Sequence, residues 1–376
     1  MPSTADEHVQ SDPSPTAPPA GPSSEAIART VARHPRPLGG DTARSVGPSL
    51  VNLSGYVLNN QSDAHHLRIG KKPDWLRAMV PGGDGYHRLK SIIDEHRLHT
   101  VCQEASCPNM GECWSRGTAT IMILGDVCTR SCGCCNVKTG KPPTLDTDEP
   151  RRVAESLRLM QLRHVVITSV NRDELPDGGA SIWAETIRRV HEACPWMSVE
   201  VLVGDFCGDE HAIQAVIDAR PEILAHNMET VKRMHPAVRP QARYERSLAV
   251  LRQIKSNGLV TKTGIMVGIG ERDDEVDQLM DDVVETGADI LTIGQYLQPT
   301  RNHLPIERWV SPERFAAYRD AGLAKGFRVV ESGPLVRSSY HAEEQADRLT
   351  PDQADVQRRM AKLIRIGRER HRAPAQ

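Results

Sequence analysis

Seven of the nine cysteines of this 376-residue chain fall between Cys102 and Cys135, in two sets. The first set, Cys102, Cys107 and Cys113, is spaced C-x4-C-x5-C within VCQEASCPNMGEC. The second, Cys128, Cys132 and Cys135, is spaced C-x3-C-x2-C within CTRSCGCCNV, with Cys134 as an extra thiol. Thiolates grouped on short loops are what soft metals and iron–sulfur clusters require. A tetrahedral zinc site or a fully ligated four-iron cube needs four protein ligands, so three thiols per set leave one position open in each. An open coordination position is where chemistry takes place.

Two other uses of these thiols compete with cluster binding. A disulfide framework fits poorly, because the chain is long and the thiols crowd into two loops instead of spreading over the fold. Structural zinc is the better rival, but zinc motifs usually come as C-x2-C pairs and C-x3-C-x2-C matches them badly. The spacing points to iron–sulfur clusters.

Lys and Arg (47) nearly balance Asp and Glu (49), which argues against a nucleic-acid binder acting through bulk charge. The stretch RRMAKLIRIGRERHR near the C-terminus is strongly basic and reads as a solvated helix face or tail. No apolar run approaches the ~18 residues that cross a membrane. MPSTADEHVQ lacks the basic start and apolar segment of a secretory signal, and Asp6 and Glu7 are residues that mitochondrial presequences avoid. A reducing, cytoplasmic setting without membrane or nucleic-acid partners is expected.

Residues 1–48 are rich in Pro, Ser, Ala and Gly and hold too little apolar surface to offset their ordering entropy, so a disordered tail is expected there. Trp75, Leu76 and Met79 suggest a short amphipathic element ending in a Pro81-Gly82-Gly83 turn. Leu89, Ile92, Ile93 and Leu98 then follow a helical period that leads into the first cysteine set. An N-terminal extension over 49–117 carries that set. From Thr120 the pattern alternates. Strands are expected at 120–126, 164–170, 199–205, 222–229, 261–270, 289–296 and 327–332, and helices over about 148–161, 180–194, 210–219, 243–257 and 273–286 and from Ser311-Pro312.

Such alternation makes a parallel sheet with right-handed crossovers. Six units before the last strand are too few for a closed eight-stranded barrel. The expected fold is therefore α/β, a partial (β/α)6 barrel of the TIM type over 118–333, with a doubly wound sheet as second choice. Extensions at the N-terminus and over 334–376 would cover its mouth. In either fold, ligands bind beyond the carboxyl ends of the strands. Asn171-Arg172-Asp173, His226-Asn227-Met228-Glu229 and Gln295 to Arg301 are polar clusters at such ends. Several in register suggest one shared site.

C-x3-C-x2-C after a first barrel strand resembles the radical S-adenosylmethionine superfamily. That superfamily usually has an aromatic residue where this chain has Cys134, which reads as a spare, non-ligating thiol. The wider set CQEASCPNMGECW, CTRSCGCCNV, TSVNRDELPDGGA, HNMETV, GIMVGIGE, IGQYLQPT and GPLVRSSYHAEE resembles the lipoyl synthase family from about Lys71 to Gln345.

The resemblance implies two 4Fe–4S clusters and S-adenosyl-L-methionine as cofactors. Cys128, Cys132 and Cys135 would hold the cube that cleaves S-adenosylmethionine. Cys102, Cys107 and Cys113 would hold an auxiliary cube whose fourth ligand is a serine of Arg337-Ser338-Ser339-Tyr340, carried here to Ser339 with Ser338 as the lesser candidate. The implied reaction inserts two sulfur atoms, at C6 and C8 of an octanoyl group on a lysine of a lipoyl carrier domain, with the auxiliary cluster as donor. Asp177, Gly178 and Gly179 lie where the superfamily contacts the methionine amine. Gly268 and Glu271 belong to its adenine-contacting strand, and Asn227 and Glu229 fall where ribose or the methionyl carboxylate binds. Arg172, Arg301 and Arg337 are cations suited to an acidic carrier. His226 and His341 are expected to make ordinary hydrogen bonds.

Implied partners are octanoylated lipoyl carrier domains (2-oxoacid dehydrogenase E2 subunits and the glycine cleavage H protein), an electron donor such as ferredoxin or flavodoxin, and an iron–sulfur cluster carrier. Another radical enzyme that inserts sulfur would share the second cysteine set but lack the first triplet paired with a C-terminal serine. A non-catalytic zinc or iron–sulfur protein would need the thiols but not the polar strand ends.

Overall fold

The computed structural model describes residues 70–77, 82, 84–96, 98–104, 107–116 and 118–349. The tail expected over 1–48, Met79, Pro81 and Gly83 of the expected amphipathic element and turn, and the basic C-terminal stretch lie outside them. A short 3-10 turn at Asp74–Leu76 leads to helix α1 (Asp84–Glu95), strand β1 (His99–Thr100), and helices α2 (Val101–Glu104) and α3 (Met110–Arg116). Cys102 stands on α2 and Cys113 on α3, so the first cysteine set is carried by two helices and the turn between them, in place of the simple loop expected from sequence.

Seven strands follow that lie parallel in one sheet: β2 (Thr120–Ile123), β5 (His164–Ser169), β6 (Ser198–Leu202), β7 (Ile223–Ala225), β8 (Val260–Val267), β9 (Ile290–Gln295) and β10 (Val329–Gly333). A two-residue pair, β3 (Val127–Cys128) with β4 (Lys138–Thr139), brackets the second cysteine loop, and β1 adds an antiparallel edge to β2. Between the parallel strands run α4 (Glu149–Met160), α5 (Ala180–Ala193), α6 (Glu210–Asp218), the short α7 (His235–Val238), α8 (Tyr244–Ser256), α9 (Asp273–Val284) and α10 (Pro312–Lys325). The chain closes with α11 (Ala342–Leu349).

Spatial order equals chain order, β1-β2-β5-β6-β7-β8-β9-β10. A doubly wound sheet would reverse its order at a switch point. Here every crossover steps the same way, as in a TIM-type barrel. Among the described residues β10 does not pair with β2, so the barrel is partial and open. Each helix turns one stripe to the sheet: Val153, Leu157 and Met160 on α4, Trp183, Ile187 and Val190 on α5, Val276, Leu279, Met280 and Val283 on α9. Burial of a large aliphatic side chain of this kind stabilises by roughly 1.5–3 kcal/mol. Asp209 caps α6 by accepting from the backbone N–H groups of His211 and Ala212, and Ser311 caps α10 through Arg314 N. At the barrel's amino end, Ala346 and Leu349 of α11 pack on Val260, Ile223, Ile290 and Val329, the first residues of four strands. The opposite end is left for ligands.

Most strands end earlier than expected, and the exits of β2 and β7 shape the barrel mouth. After Ile123 the backbone turns left-handed at Leu124 (φ 69°) and Gly125 (φ 91°), which sends the chain sideways into the cysteine loop. After Ala225 the ladder slips: Ala225 pairs with Lys262, whereas Glu229 pairs with Ile265. Four steps on one strand against three on its neighbour make a one-residue bulge, and bulges re-aim side chains. Asn227 sits at its centre.

Candidate active site

The second cysteine set spans the mouth of the barrel. Cys128 ends β3, and its Sγ accepts from the backbone N–H of Arg130 (3.4 Å) and of Asn171 (3.3 Å) just past β5. The Arg130 side chain, 2% exposed, reaches across the loop ends. Its Nε donates to Asp173 Oδ2 at 2.7 Å, and its Nη2 lies 2.6 Å from Asp205 Oδ1 beyond β6. Arg246 makes a further ion pair with Asp205 at 3.1 Å. These cations hold the Asp205 carboxyl down at about 2 against the pull of its burial. Further along, Gly133 N donates to Val238 O and Gly133 O accepts from Leu304 N. A Cβ on Gly133 would press at 3.0 Å on Ala237 O and the Leu304 side chain, so glycine is needed where the loop passes between them. His303 Nε2 donates to Cys135 O at 2.9 Å. Cys134 packs against the apolar core.

The first set lines a concavity formed by Cys102, Cys107, Cys113, Asn109, Thr120, Arg337 and Ser339, among others. Its two halves come from opposite ends of the chain. Asn109 Nδ2 donates to Leu335 O at 2.6 Å, Tyr340 OH and His341 Nε2 reach Glu112 at 3.4 Å, and Thr118 Oγ1 donates to Glu343 at 3.2 Å. The sequence leaves Ser338 and Ser339 as rival partners of these thiols. The fold separates them: Ser339 lines the cysteine concavity, whereas Ser338 Oγ accepts from Asn227 Nδ2 at 2.7 Å. Asn136 Nδ2, beside Cys135, donates to Glu104 O next to the first set at 3.1 Å and ties the two loops together.

The donor set fits iron–sulfur clusters. Burial raises the Cys107 thiol, lifts Cys113 and Cys132 to about 12, and lifts Cys135 to about 11, with neighbouring thiols adding to the effect. Thiols so crowded become ligands only against a strongly cationic centre. Among the described residues no three His, Cys, Asp or Glu side chains converge on a single-ion position. In a cube each cysteine binds a different iron, so its ligands stand farther apart than those of one zinc.

Comparison with known proteins identifies the arrangement. Residues 122–283 match the radical SAM superfamily, and residues 52–107 match the N-terminal domain of lipoyl synthase of that superfamily. Lipoyl synthase of Parabacteroides distasonis is 58% identical over 281 residues, covering 75% of this chain and 99% of the relative. That of Rubrobacter xylanophilus is 59% identical over 294 residues, covering 78% and 90%. The chain belongs to the lipoyl synthase family. The mitochondrial lipoyl synthase of Nematostella vectensis is 53% identical over 274 residues, covering 73% of this chain and 94% of the relative. Among solved structures, Streptococcus suis SuiB bound to S-adenosylmethionine aligns with a TM-score of 0.47 at 9% identity, over 60% of this chain and 54% of that one. Family membership brings with it iron–sulfur chemistry and the use of S-adenosylmethionine.

Several family positions act here through the backbone. Asp177 accepts from Gly179 N and Ser181 N and so caps α5, while Gly178 (φ 59°) and Gly179 (φ 89°) pack on Phe206 and Leu124. Glu271 has no exposed side-chain surface. Its oxygens accept from the N–H groups of Gly268, Ile269 and Gly270 and from Arg308, so it shapes the Gly268 turn. Gly268 (φ 92°) has no room for a Cβ against Gln295 and Arg308 O. Asn227 and Glu229 do meet at the mouth, Nδ2 to Oε1 at 3.1 Å, and Asn227 Oδ1 is buried without a partner among the described residues.

Arg172 departs from expectation. It is 3% exposed and bonded to Glu174, Leu124 O and Thr144 O, so it holds loops together and is not presented to a carrier; Arg301 is exposed. His226 hydrogen-bonds Val203 O and Ser247 Oγ, and His341 reaches Glu112, as expected of ordinary polar roles. Sequence reasoning missed Arg130, Asp205 and Arg239, whose Nη1 donates to Asn227 O at 2.7 Å. An arginine inside a thiol motif was the available signal for the first of these.

Proposed function

We propose that this protein is a lipoyl synthase that inserts two sulfur atoms, at C6 and C8, into an octanoyl group borne on a lysine of a lipoyl carrier domain. Identity above 50% to lipoyl synthases over nearly their whole length supports the reaction class. The observation that carries the reading is the concavity shared by Cys102, Cys107, Cys113 and Ser339. A radical enzyme with only the second cysteine set has no use for it.

In this reading Cys128, Cys132 and Cys135 hold one 4Fe–4S cluster and Cys102, Cys107, Cys113 and Ser339 hold a second. The clusters supply one-electron cleavage of S-adenosylmethionine and the sulfur atoms. The chain's own residues do the rest. Arg130, lashed to Asp173 and Asp205, fixes the second loop, and the N–H groups of Arg130 and Asn171 donate to the Cys128 sulfur. Such donors stabilise charge on a ligating sulfur. Glu271 shapes the Gly268 turn that would face the nucleoside, and Asn227 and Glu229 face its ribose and methionyl end. Serine oxygen is a harder ligand for iron than thiolate and more easily displaced, which suits a cluster that gives up sulfide. The barrel over 118–333 would be covered by extensions over 49–117 and 334–376.

Carrier domains of 2-oxoacid dehydrogenase E2 subunits and the glycine cleavage H protein are the substrates this reading takes. A ferredoxin or flavodoxin would supply electrons, and a cluster carrier would rebuild the spent site, in the cytoplasm. No helix among the described residues is long and apolar enough to cross a membrane. The test is anaerobic incubation of reconstituted protein with S-adenosylmethionine, dithionite and an octanoyl-lysine peptide. Mass spectrometry should show two sulfurs gained; an unchanged peptide with both clusters loaded would refute the reading.

A further inference from the structure

Ser338 and Asn227 are 111 residues apart, yet their side chains meet at 2.7 Å inside the barrel mouth. The fold takes several measures to bring them together. The bulge after Ala225 swings Asn227 inward, and Arg239 fixes its carbonyl at 2.7 Å. Two glycines on adjacent strands clear the path of the C-terminal loop. A Cβ on Gly294 of β9 would collide with Val336 O, and one on Gly264 of β8 would come within 3.3 Å of Ser338 Oγ and 3.0 Å of Asn227 Oδ1. On the far side the same loop is pinned to the first cysteine set through Asn109–Leu335 and Tyr340–Glu112. Ser339, the next residue along, lines the cysteine concavity.

The amide of Asn227 is half used. Its Nδ2 serves Ser338 and Glu229, while its Oδ1 is buried without a partner among the described residues. A buried acceptor left open is costly unless a ligand donor reaches it. S-adenosylmethionine offers such donors in its ribose hydroxyls and its ammonium group. A donor on Oδ1 would also polarise the amide and strengthen donation from Nδ2 to Ser338.

We propose that Ser338 is a positioning residue: the Asn227–Ser338 hydrogen bond couples occupancy of the S-adenosylmethionine site to the placement of Ser339 at the first cysteine set. The inference rests on the assignment of Ser339 to that set. Coupling of this kind is reciprocal, so the clasp also aids S-adenosylmethionine binding. The loop bearing the labile ligand tightens when the radical source is bound.

Hydrogen exchange of residues 334–341, followed by mass spectrometry on the cluster-loaded protein with and without S-adenosylmethionine, tests it. In the wild-type protein and in Ser338→Thr, S-adenosylmethionine should slow exchange of this segment. In Ser338→Ala the segment should exchange equally fast with and without it, and S-adenosylmethionine affinity should fall by about 2- to 10-fold, as loss of one hydrogen bond predicts. A merely structural serine would raise exchange by the same factor in both conditions. The proposal is overturned if wild-type exchange there ignores S-adenosylmethionine, or if Ser338→Ala keeps both the slowing and the affinity. Ser339→Ala, examined by Mössbauer spectroscopy without S-adenosylmethionine, reports separately on the ligand assignment: an unchanged spectrum refutes that assignment whatever Ser338 does.

Discussion

Asn109 donates its side-chain amide to the carbonyl oxygen of Leu335 at 2.6 Å, joining the two ends of the fold across 226 residues. Asn109 is buried and lines the concavity that holds three cysteines and Ser339, and Leu335 is half-buried beside it. Asn109→Ala would leave a carbonyl without its donor, at a cost of about 1–3 kcal/mol. The expected phenotype is selective: a lower melting temperature and slower sulfur transfer, with reductive cleavage of S-adenosylmethionine preserved. Parallel assays of methionine release and peptide thiolation would reveal the split, and equal losses in both would argue against it.

Ser339→Cys replaces the oxygen in the first cysteine set with a fourth thiolate. Iron and sulfide should stay at about eight each per chain, as two cubes require. Thiolation of the octanoyl peptide should fall at least tenfold, because a softer, tighter ligand resists opening. Full activity in this variant would remove the account of a labile serine.

Arg130→Ala takes away the cation between Asp173 and Asp205. Asp205 has no exposed side-chain surface and would keep only Arg246 and the N–H of Cys207 as partners, so a penalty of about 3–5 kcal/mol is expected by analogy with broken buried pairs. The second cysteine loop should lose its anchor while the first set is spared. Iron content after gel filtration should drop from about eight toward about four per chain. Retention of all the iron would show that the arginine is dispensable for the loop.

Acid sensitivity should come from two buried histidines. Burial lowers His226 and His235 from 6.5 to about 4, so both are neutral in the fold. The unfolded chain takes up their protons near pH 6.5 and the folded chain does not, so stability is full above that pH and is lost as pH falls toward 4. Between pH 6.5 and about 5 the loss is roughly 2 kcal/mol for each histidine. Urea unfolding across this range checks it, and His226→Gln should flatten the slope by about half. An unchanged slope in that variant would assign the acid sensitivity to other groups.

The sequence determined much of this protein without help. The C-x4-C-x5-C and C-x3-C-x2-C spacings point to cluster chemistry, since ligand type and local spacing are properties of a short segment. The seven parallel strands and the helices between them follow from apolar runs and amphipathic periods, which bury the same faces whatever surrounds them. The tertiary structure alone decided the long-range pairings. It placed Ser339 and not Ser338 on the cysteine concavity, and it set Ser338 on Asn227 through a bulge that no local pattern announces. It turned Arg172 from a cation suited to the carrier into an internal strut, because its partners Leu124 and Thr144 come from a loop of another strand. A hydrogen bond between residues more than a hundred positions apart depends on where the backbone goes in three dimensions, and a linear pattern carries no term for that.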